Sequence, residues 1–493
     1  MAELYIDAQW RDARSGATRE IIDPFDARVV REVSEGDVVD ARDAIAAARR
    51  AFDDSDWPHR PGAERGRVLS RLAELIEADA EHLAALETDD TGKTLRESRQ
   101  DMADIAGVVR YYAGMADKDA GEVIAAPDAR MRSIVIREPV GVCGQISPWN
   151  YPLLQASWKF APALAAGNTI VVKPSELTPL TTVRIVELMS ELDLPAGVVN
   201  LVLGAGPTVG AELATNHDVD LVSFTGGIAT GREVMKAASG NVKKLALELG
   251  GKNPNLVFAD ADRELALDHA LLAVFLHAGQ VCSAGARLLV EASIHDEFVD
   301  ELVARAGRIR LGDGRDERSQ SGPLISAAHR EKVAGYVAGA LDEGAQLRCG
   351  GKRPDDPALA EGFFYEPTIL TGCHAGMQVV RDEVFGPVLT VEAFDDEAHA
   401  LSLANDTPTG LAAGVFTSDL GRAERCARAL RFGTVWINDF HPYFPQAPWG
   451  GFKSSGIGRE LGPAGYDEYT ELKHIAHNTA PSPTGWFDEE VAP

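Results

Sequence analysis

The sequence predicts an α/β protein of two doubly wound α/β domains carrying a small β element. Three observations predict this. Between Val140 and Phe258, apolar β-branched runs alternate with helical periodicity, the mark of a parallel sheet covered on both faces. After Gly285 a second alternation of the same kind begins. Two ribbons far apart in the chain, 130–140 and 469–477, alternate apolar with polar residues, as a strand with one wet face does. A length of 493 residues calls for two or three domains.

In chain order, residues 1–36 read as short strands and turns, with Asp23-Pro24-Phe25-Asp26 as a turn signal. Helical spacing covers 38–52, 64–88 and 95–116. The ribbon 130–140 follows; with its distant counterpart it forms either an oligomerisation element or an internal hairpin layer, and the sequence leaves both open. Strands are then expected at 140–146, 169–173, 198–203, 221–225 and 244–249, separated by helices at 153–166, 181–192 and 230–239. A helical run, 262–277, leads into the small-residue loop 279–285. The second domain is expected to hold strands at 286–291, near 378–380, at 388–394 and, buried, at 434–438. Its helices are expected at 295–309, 397–404 and 422–430, with a turn-rich region after 309. The tail, 480–493, is polar and proline-bearing and is expected to be loosely held.

Composition excludes several classes. Hydrophobic residues make up 45% and charged residues 25%, as in an ordinary globular chain. The 48 basic and 75 acidic residues give a net charge of −27, which argues against nucleic acid or an anionic membrane held by bulk charge. Solubility and a salt-rich cytoplasm both account for that acidity. The five cysteines are odd in number and show no CxxC spacing, so reduced thiols are expected, with no disulfide framework and no metal site. The first residues lack a basic stretch followed by an apolar one, and no apolar run approaches a membrane span; a cytoplasmic chain is expected.

Several stretches carry chemistry. Glu248-Leu249-Gly250-Gly251-Lys252 offers a carboxylate beside two glycines, and Gly279-Gln280-Val281-Cys282 a thiol in a small-residue loop. Brought together, they are a base and a nucleophile. A buried inert thiol is the plainer fate of Cys282. His277, five residues earlier, is read as a structural histidine in preference to a Cys–His dyad. Two glycine turns, 204–210 and 226–231, each join a strand to a helix and together favour a nucleotide site, although neither has the GxGxxG spacing. Lys173-Pro174-Ser175-Glu176 ends a strand where it could grip ribose hydroxyls; Glu176 as a simple early-helix carboxylate is the alternative. Pro148-Trp149-Asn150-Tyr151-Pro152 is a rigid turn whose asparagine could donate to an oxyanion. The aromatics from Trp436 to Trp449 suit either core packing or a quaternary ammonium ion.

Taken in order, these motifs, together with Phe224-Thr225-Gly226-Gly227 and Glu383-Val384-Phe385-Gly386-Pro387, make the sequence resemble the aldehyde dehydrogenase superfamily over nearly its whole length. It looks most like the bacterial betaine aldehyde branch, on residues 275–285 and 436–449. The resemblance implies Cys282 as nucleophile, Glu248 as general base, Asn150 with the Cys282 N–H as oxyanion hole, and Lys159 with Glu460 as a charge relay. It implies NAD as cofactor, held by Ser147, Trp149, Lys173, Ser175, Glu176, Gly206, Gly226, Gly227, Thr230, Gly250, Glu383 and Phe385. It leaves open a monovalent cation such as potassium. Tyr151, Trp158 and Trp449 match the family's aromatic box, which Tyr443 or Phe444 is expected to complete, because Leu276 stands where plant members of the branch carry tryptophan. Gly227 replaces a common serine, leaving diphosphate contacts to the backbone.

The implied reaction is oxidation of betaine aldehyde to glycine betaine; other aldehydes, or a non-catalytic relative, are the alternatives. The resemblance implies a homodimer or homotetramer acting on a small aldehyde. It divides the chain into a cofactor domain (1–116 and 138–247, with a return at 445–462), a catalytic domain (248–444), an oligomerisation ribbon (117–137) and a closing segment (463–493).

Overall fold

The computed structural model describes residues 4–487; residues 1–3, and residues 488–493 of the expected loose tail, lie outside the described residues. Five parallel strands form the first sheet: β1 (Val142–Ile146), β2 (Thr169–Lys173), β3 (Val199–Leu201), β4 (Leu221–Gly226) and β5 (Lys244–Leu249). Their order is β5-β4-β1-β2-β3. β1, β2 and β3 are buried at every residue, as strands covered on both faces must be. The order reverses between β1 and β4, which opens a crevice beyond their carboxyl ends. Antiparallel strands extend both sides, Leu4–Ile6 beside β3 with Gln9–Arg11 outside it, and Gly456–Ile457 beside β5. Helix α1 (Pro152–Ala166) follows β1 and is buried along its whole length; proline in its first turn and left-handed Gly167 (φ 96°) bound it.

The second sheet holds β6 (Pro254–Val257), β7 (Arg287–Glu291), β8 (Thr368–Thr371), β9 (Val388–Phe394), β10 (Ala412–Phe416) and β11 (Thr434–Ile437). The order is β8-β9-β7-β6-β10-β11, all parallel, with antiparallel Gln346–Cys349 outside β8. The two distant ribbons pair with each other, Thr470 opposite Pro139 through Asn478 opposite Met131, and Glu122–Ile124 adds a third strand. The far edge of Thr470–Asn478 has no partner strand among the described residues.

The structure corrects the sequence reading in several places. The helix expected over 64–88 is two, Gly62–Ala78 and Ala80–Thr91, broken at Asp79, whose carboxylate accepts from Arg184 Nε at 2.7 Å. Its alanine-rich spacing continues across the break. The strand expected near 378–380 is a helical turn, Gln378–Arg381; two apolar residues, Val379 and Val380, are too few to tell the two apart. The turn-rich region after 309 contains the helix Ala327–Asp342, started by the Ser326 side chain accepting from His329 N–H. β10 lies in a run of small residues that gave no strand signal. β11, expected to be buried, is the sheet's edge strand, and only Trp436 in it is buried.

Candidate active site

From β5 the chain crosses to β6 through Gly250-Gly251-Lys252-Asn253, so the ends of the two sheets face each other. Helix α2 (Arg263–Phe275) starts at Asp262, whose carboxylate accepts from Leu265 N–H at 3.0 Å. Beyond it the backbone turns through left-handed His277 (φ 48°), Ala278 (φ 52°) and Gly279 (φ 74°). A Cβ at Gly279 would come within 2.1 Å of the Gly386 carbonyl oxygen, so only glycine fits there. These turns bring Cys282 opposite the carboxyl ends of the first sheet. Asn150, just past β1, reaches the same loop and donates from Nδ2 to the Gln280 carbonyl at 2.8 Å.

Two cavities meet at Cys282. The first, about 220 Å³, is lined by Trp149, Asn150, Gly226, Gly227, Glu248, Gly250, Glu383 and Phe385 among others. The second, about 360 Å³, is lined by Asp101, Asp104, Tyr151, Trp158, Leu276 and Tyr443 among others. Gln155, Cys282 and Trp449 line both.

The first cavity has the makings of a dinucleotide site. Gly227 caps the helix Ile228–Ala238 without a side-chain bond, which leaves the helix's first N–H groups for a ligand. A Cβ at Gly250 would lie 2.0 Å from Glu383 Oε2; glycine lets that carboxylate in, and Gly251 N–H donates to it at 3.3 Å. Burial pushes Glu383 up to about 7, with the Gly251 N–H opposing. Trp149 meets Phe385 and His329 edge-on, with centroids 5.2 and 5.3 Å apart, and His329 Nε2 lies 2.6 Å from the Phe385 carbonyl. At the end of β2, Lys173 pairs with Glu176 at 3.1 Å. Burial raises Glu176, but Lys173 and backbone N–H groups, that of Gly206 among them, bring it below its usual range.

Glu248 is buried, and neither of its carboxyl oxygens has a protein partner among the described residues. Burial, then the charge of Glu460, drives it well above the usual carboxylate range, against the pull of Lys159. Lys159 pairs with Glu460 and donates to Thr225 Oγ1 at 2.6 Å, and Thr225 donates to Gln155 Oε1 at 3.3 Å. The Cys282 thiol is pushed up to about 12 by burial, then by Glu383 and Glu248.

The second cavity is aromatic and acidic. Trp158 meets Tyr443 and Trp449 edge-on at 5.2 and 5.9 Å. Tyr443 Oη donates to Asp104 at 2.8 Å. Asp101 holds the buried Lys93 ammonium at 2.6 Å, and that ammonium sits 3.8 Å from the Tyr151 ring centre.

A model of the aldehyde dehydrogenase family matches residues 10–475. The chain belongs to the aldehyde dehydrogenase family. It is 62% identical over 485 residues to the betaine aldehyde dehydrogenase of Bacillus subtilis, covering 98% of this chain and 99% of that protein. It is 43% identical to a peroxisomal aminoaldehyde dehydrogenase of Pisum sativum, over 98% of this chain and 97% of that one. A crystal structure of betaine aldehyde dehydrogenase from Staphylococcus aureus in complex with NAD+ is similar to it with a TM-score of 0.98 and 54% identity, over 99% of this chain and 97% of that one.

Most of the residues expected from the aldehyde dehydrogenase resemblance lie around these cavities. Lys159 and Glu460 pair behind the wall, and Tyr151, Trp158, Tyr443 and Trp449 line the second cavity. Two expected site residues lie away from the cavities. Phe444 is 60% exposed and lines neither cavity, because its neighbour Tyr443 takes the inward position. Thr230 faces solvent in the first turn of its helix, where backbone N–H groups are the available donors. Ser147 and Ser175 are buried but line neither cavity, and Ser175 Oγ accepts from Leu177 N–H. His277 packs edge-on against Tyr151 at 5.5 Å, lines neither cavity, and is held neutral by burial and by Lys93.

The sequence reading missed Gln155, His329, Lys332, Asp101 and Asp104. Gln155 was within reach: with Tyr151 and Trp158 it falls at helical spacing on one face. His329 and Lys332 lie on the helix hidden in the turn-rich region.

Proposed function

We propose that this chain oxidises betaine aldehyde to glycine betaine with NAD+, through a thiohemiacetal and then a thioester on Cys282. The observation that carries this reading is the position of Cys282 between a glycine-edged cavity holding Glu248 and an aromatic, acidic one. Cation–π attraction to Trp158, Tyr443 and Trp449 suits a trimethylammonium group, and Asp104, whose carboxylate has no cationic partner among the described residues, favours a cation over a neutral aldehyde, whereas Asp101 is already paired with Lys93.

The glycines at 226, 227 and 250, the uncapped helix start and the Lys173–Glu176 pair fit a dinucleotide. Glu176 would repel a 2′-phosphate, which favours NAD+ over its phosphorylated form. When bound, NAD+ supplies the hydride acceptor that the oxidation requires. Deprotonated Cys282 Sγ attacks the aldehyde carbon. The second Asn150 amide proton and the Cys282 N–H donate to the oxyanion, each worth about 3 kcal/mol. After oxidation the acyl group rests on Cys282 as a thioester. Glu248 takes a proton from the attacking water, and Lys159 with Glu460 carries it away. The acyl–sulfur bond then breaks, the sulfur leaves as thiolate, and the acid is released.

We further propose that the three-stranded layer is where copies of the chain meet. Val123 (83% exposed) and Leu472 (65%) stand on it, beside the unpaired edge of Thr470–Asn478. All five cysteines are free, which suits a reducing cytoplasm.

The test is NADH formation with betaine aldehyde, an ω-aminoaldehyde and an uncharged aliphatic aldehyde in parallel. The reading requires the highest kcat/KM with betaine aldehyde. Preference for the aminoaldehyde would move the chain to the activity named for its Pisum sativum relative, and no NADH with any aldehyde would end the catalytic reading.

A further inference from the structure

Asn253 takes no part in the chemistry above, yet it is fully buried between the two sheets. Its Nδ2 donates to the carbonyl of Cys282 itself at 2.8 Å and to that of Ala284 at 3.1 Å. Its Oδ1 accepts from the Ala412 N–H, at the start of β10, at 3.0 Å. That last bond settles the amide's orientation: an oxygen facing a backbone N–H leaves the NH2 for the two carbonyls. Its own carbonyl accepts from Arg287 N–H at 3.3 Å, at the start of β7. Gly251 makes room for the side chain, since a Cβ there would come within 2.8 Å of Asn253 Oδ1.

Cys282 lies in neither helix nor strand, so the sheet ladders do not fix its peptide planes. Side-chain amides hold alternate carbonyls of the loop instead: Asn150 holds Gln280, and Asn253 holds Cys282 and Ala284.

We propose that Asn253 is a positioning residue that sets the direction of Sγ attack by fixing the Cys282 and Ala284 peptide planes against the second sheet. The inference rests on the reading of Cys282 as nucleophile. Asn253 touches neither cavity, so it acts only through the loop. Misplacing a reacting atom by about 1 Å costs on the order of 100-fold in rate.

Asn253→Asp is the sharpest variant. It keeps the shape and the bond from Ala412 but turns two donors into a carboxylate facing two carbonyls. Asn253→Ser, neutral and too short to reach both carbonyls, carries the test if the aspartate does not fold. The full-length protein is assayed for single-turnover NADH formation with betaine aldehyde, NAD+ affinity, and alkylation of Cys282 by iodoacetamide, beside Cys282→Ala. The expected result is a fall on the order of 100-fold in the single-turnover rate, slower alkylation, and NAD+ affinity within about twofold of the parent. A variant whose Tm drops while its single-turnover and alkylation rates stay at the parent's values overturns the inference, because it shows a purely structural role. Turnover surviving in Cys282→Ala would instead overturn the nucleophile reading, and with it this inference. An inactive Cys282→Ala beside a fully active Asn253→Asp overturns this inference alone.

Discussion

At Cys282 two requirements oppose each other. The thiol must be enclosed to exclude water from the thiohemiacetal, yet enclosure and the carboxylates of Glu383 and Glu248 hold its pKa up at about 12. In the proposed reaction Glu248 is therefore assigned the later step, hydrolysis of the thioester, and not activation of the thiol. Cys282→Ser should remove nearly all NADH formation while NAD+ affinity, followed by fluorescence quenching, stays within about twofold; lost affinity would move the residue from chemistry to cofactor binding. The pH dependence follows from the direction of the Glu248 shift. A carboxyl group raised by burial is protonated, and useless as a base, until the pH exceeds its elevated pKa. Thioester hydrolysis should therefore rise with pH through a midpoint well above the roughly 4.3 of a free glutamate. In Glu248→Gln that limb should vanish and acyl-enzyme accumulate. A hydrolysis step in Glu248→Gln as fast as the parent's would assign the base elsewhere.

At the scale of elements, α2 and its exit turn show what the sequence discloses and what it hides. The helix was legible because Asp262 and an apolar run mark its start and course, and its expected end at 277 was two residues late. What the run could not show is that His277 and Ala278 adopt positive φ, since neither residue type advertises it. Gly279 could have done so, but its reason, the Gly386 carbonyl, lies more than a hundred residues away. The same holds for Asp101 and Asp104. They sit on the correctly placed helix Leu95–Met115, but only the tertiary fold turns them towards Tyr151 and Tyr443. Motif residues such as Asn150, Glu248 and Glu383 took their expected roles from the resemblance to the aldehyde dehydrogenase superfamily, whose motifs recur here in order; without it Asn150 read equally well as part of a rigid turn. The cap and the turn separate stability from catalysis. Asp262→Ala should cost about 1 kcal/mol in denaturant unfolding and leave kcat unchanged. Gly279→Ala should depress soluble yield and activity together, because its Cβ has no space. Normal activity in Gly279→Ala would mean that the loop can shift without consequence.

For the molecule as a whole, the two sheets face each other across the site, the first presenting carboxyl ends and the second the chain entering β6, β7 and β10. The alternation of strands and helices predicts the two α/β sheets; that they meet end to end at Cys282 is seen only in the structure. The two ribbons, although far apart in the chain, read as one element, and they do pair, Met131–Pro139 with Thr470–Asn478; the sequence left open only whether that layer joins copies of the chain or lies within one. Leu472→Arg on that exposed strand should shift the protein to smaller species in light scattering, whereas an unchanged mass would place the contact between copies elsewhere. The account's central claim is that the cavity beside Cys282 selects a cationic aldehyde. Its most direct test is kcat/KM for betaine aldehyde against the tert-butyl aldehyde in which carbon replaces the quaternary nitrogen, a neutral molecule of nearly the same shape. One cation–π contact of about 1.4 kcal/mol is a factor of about ten, so the cationic substrate should lead by at least about tenfold, and by less at high ionic strength. Equal rates for the two, or a lead for the neutral aldehyde, would contradict it.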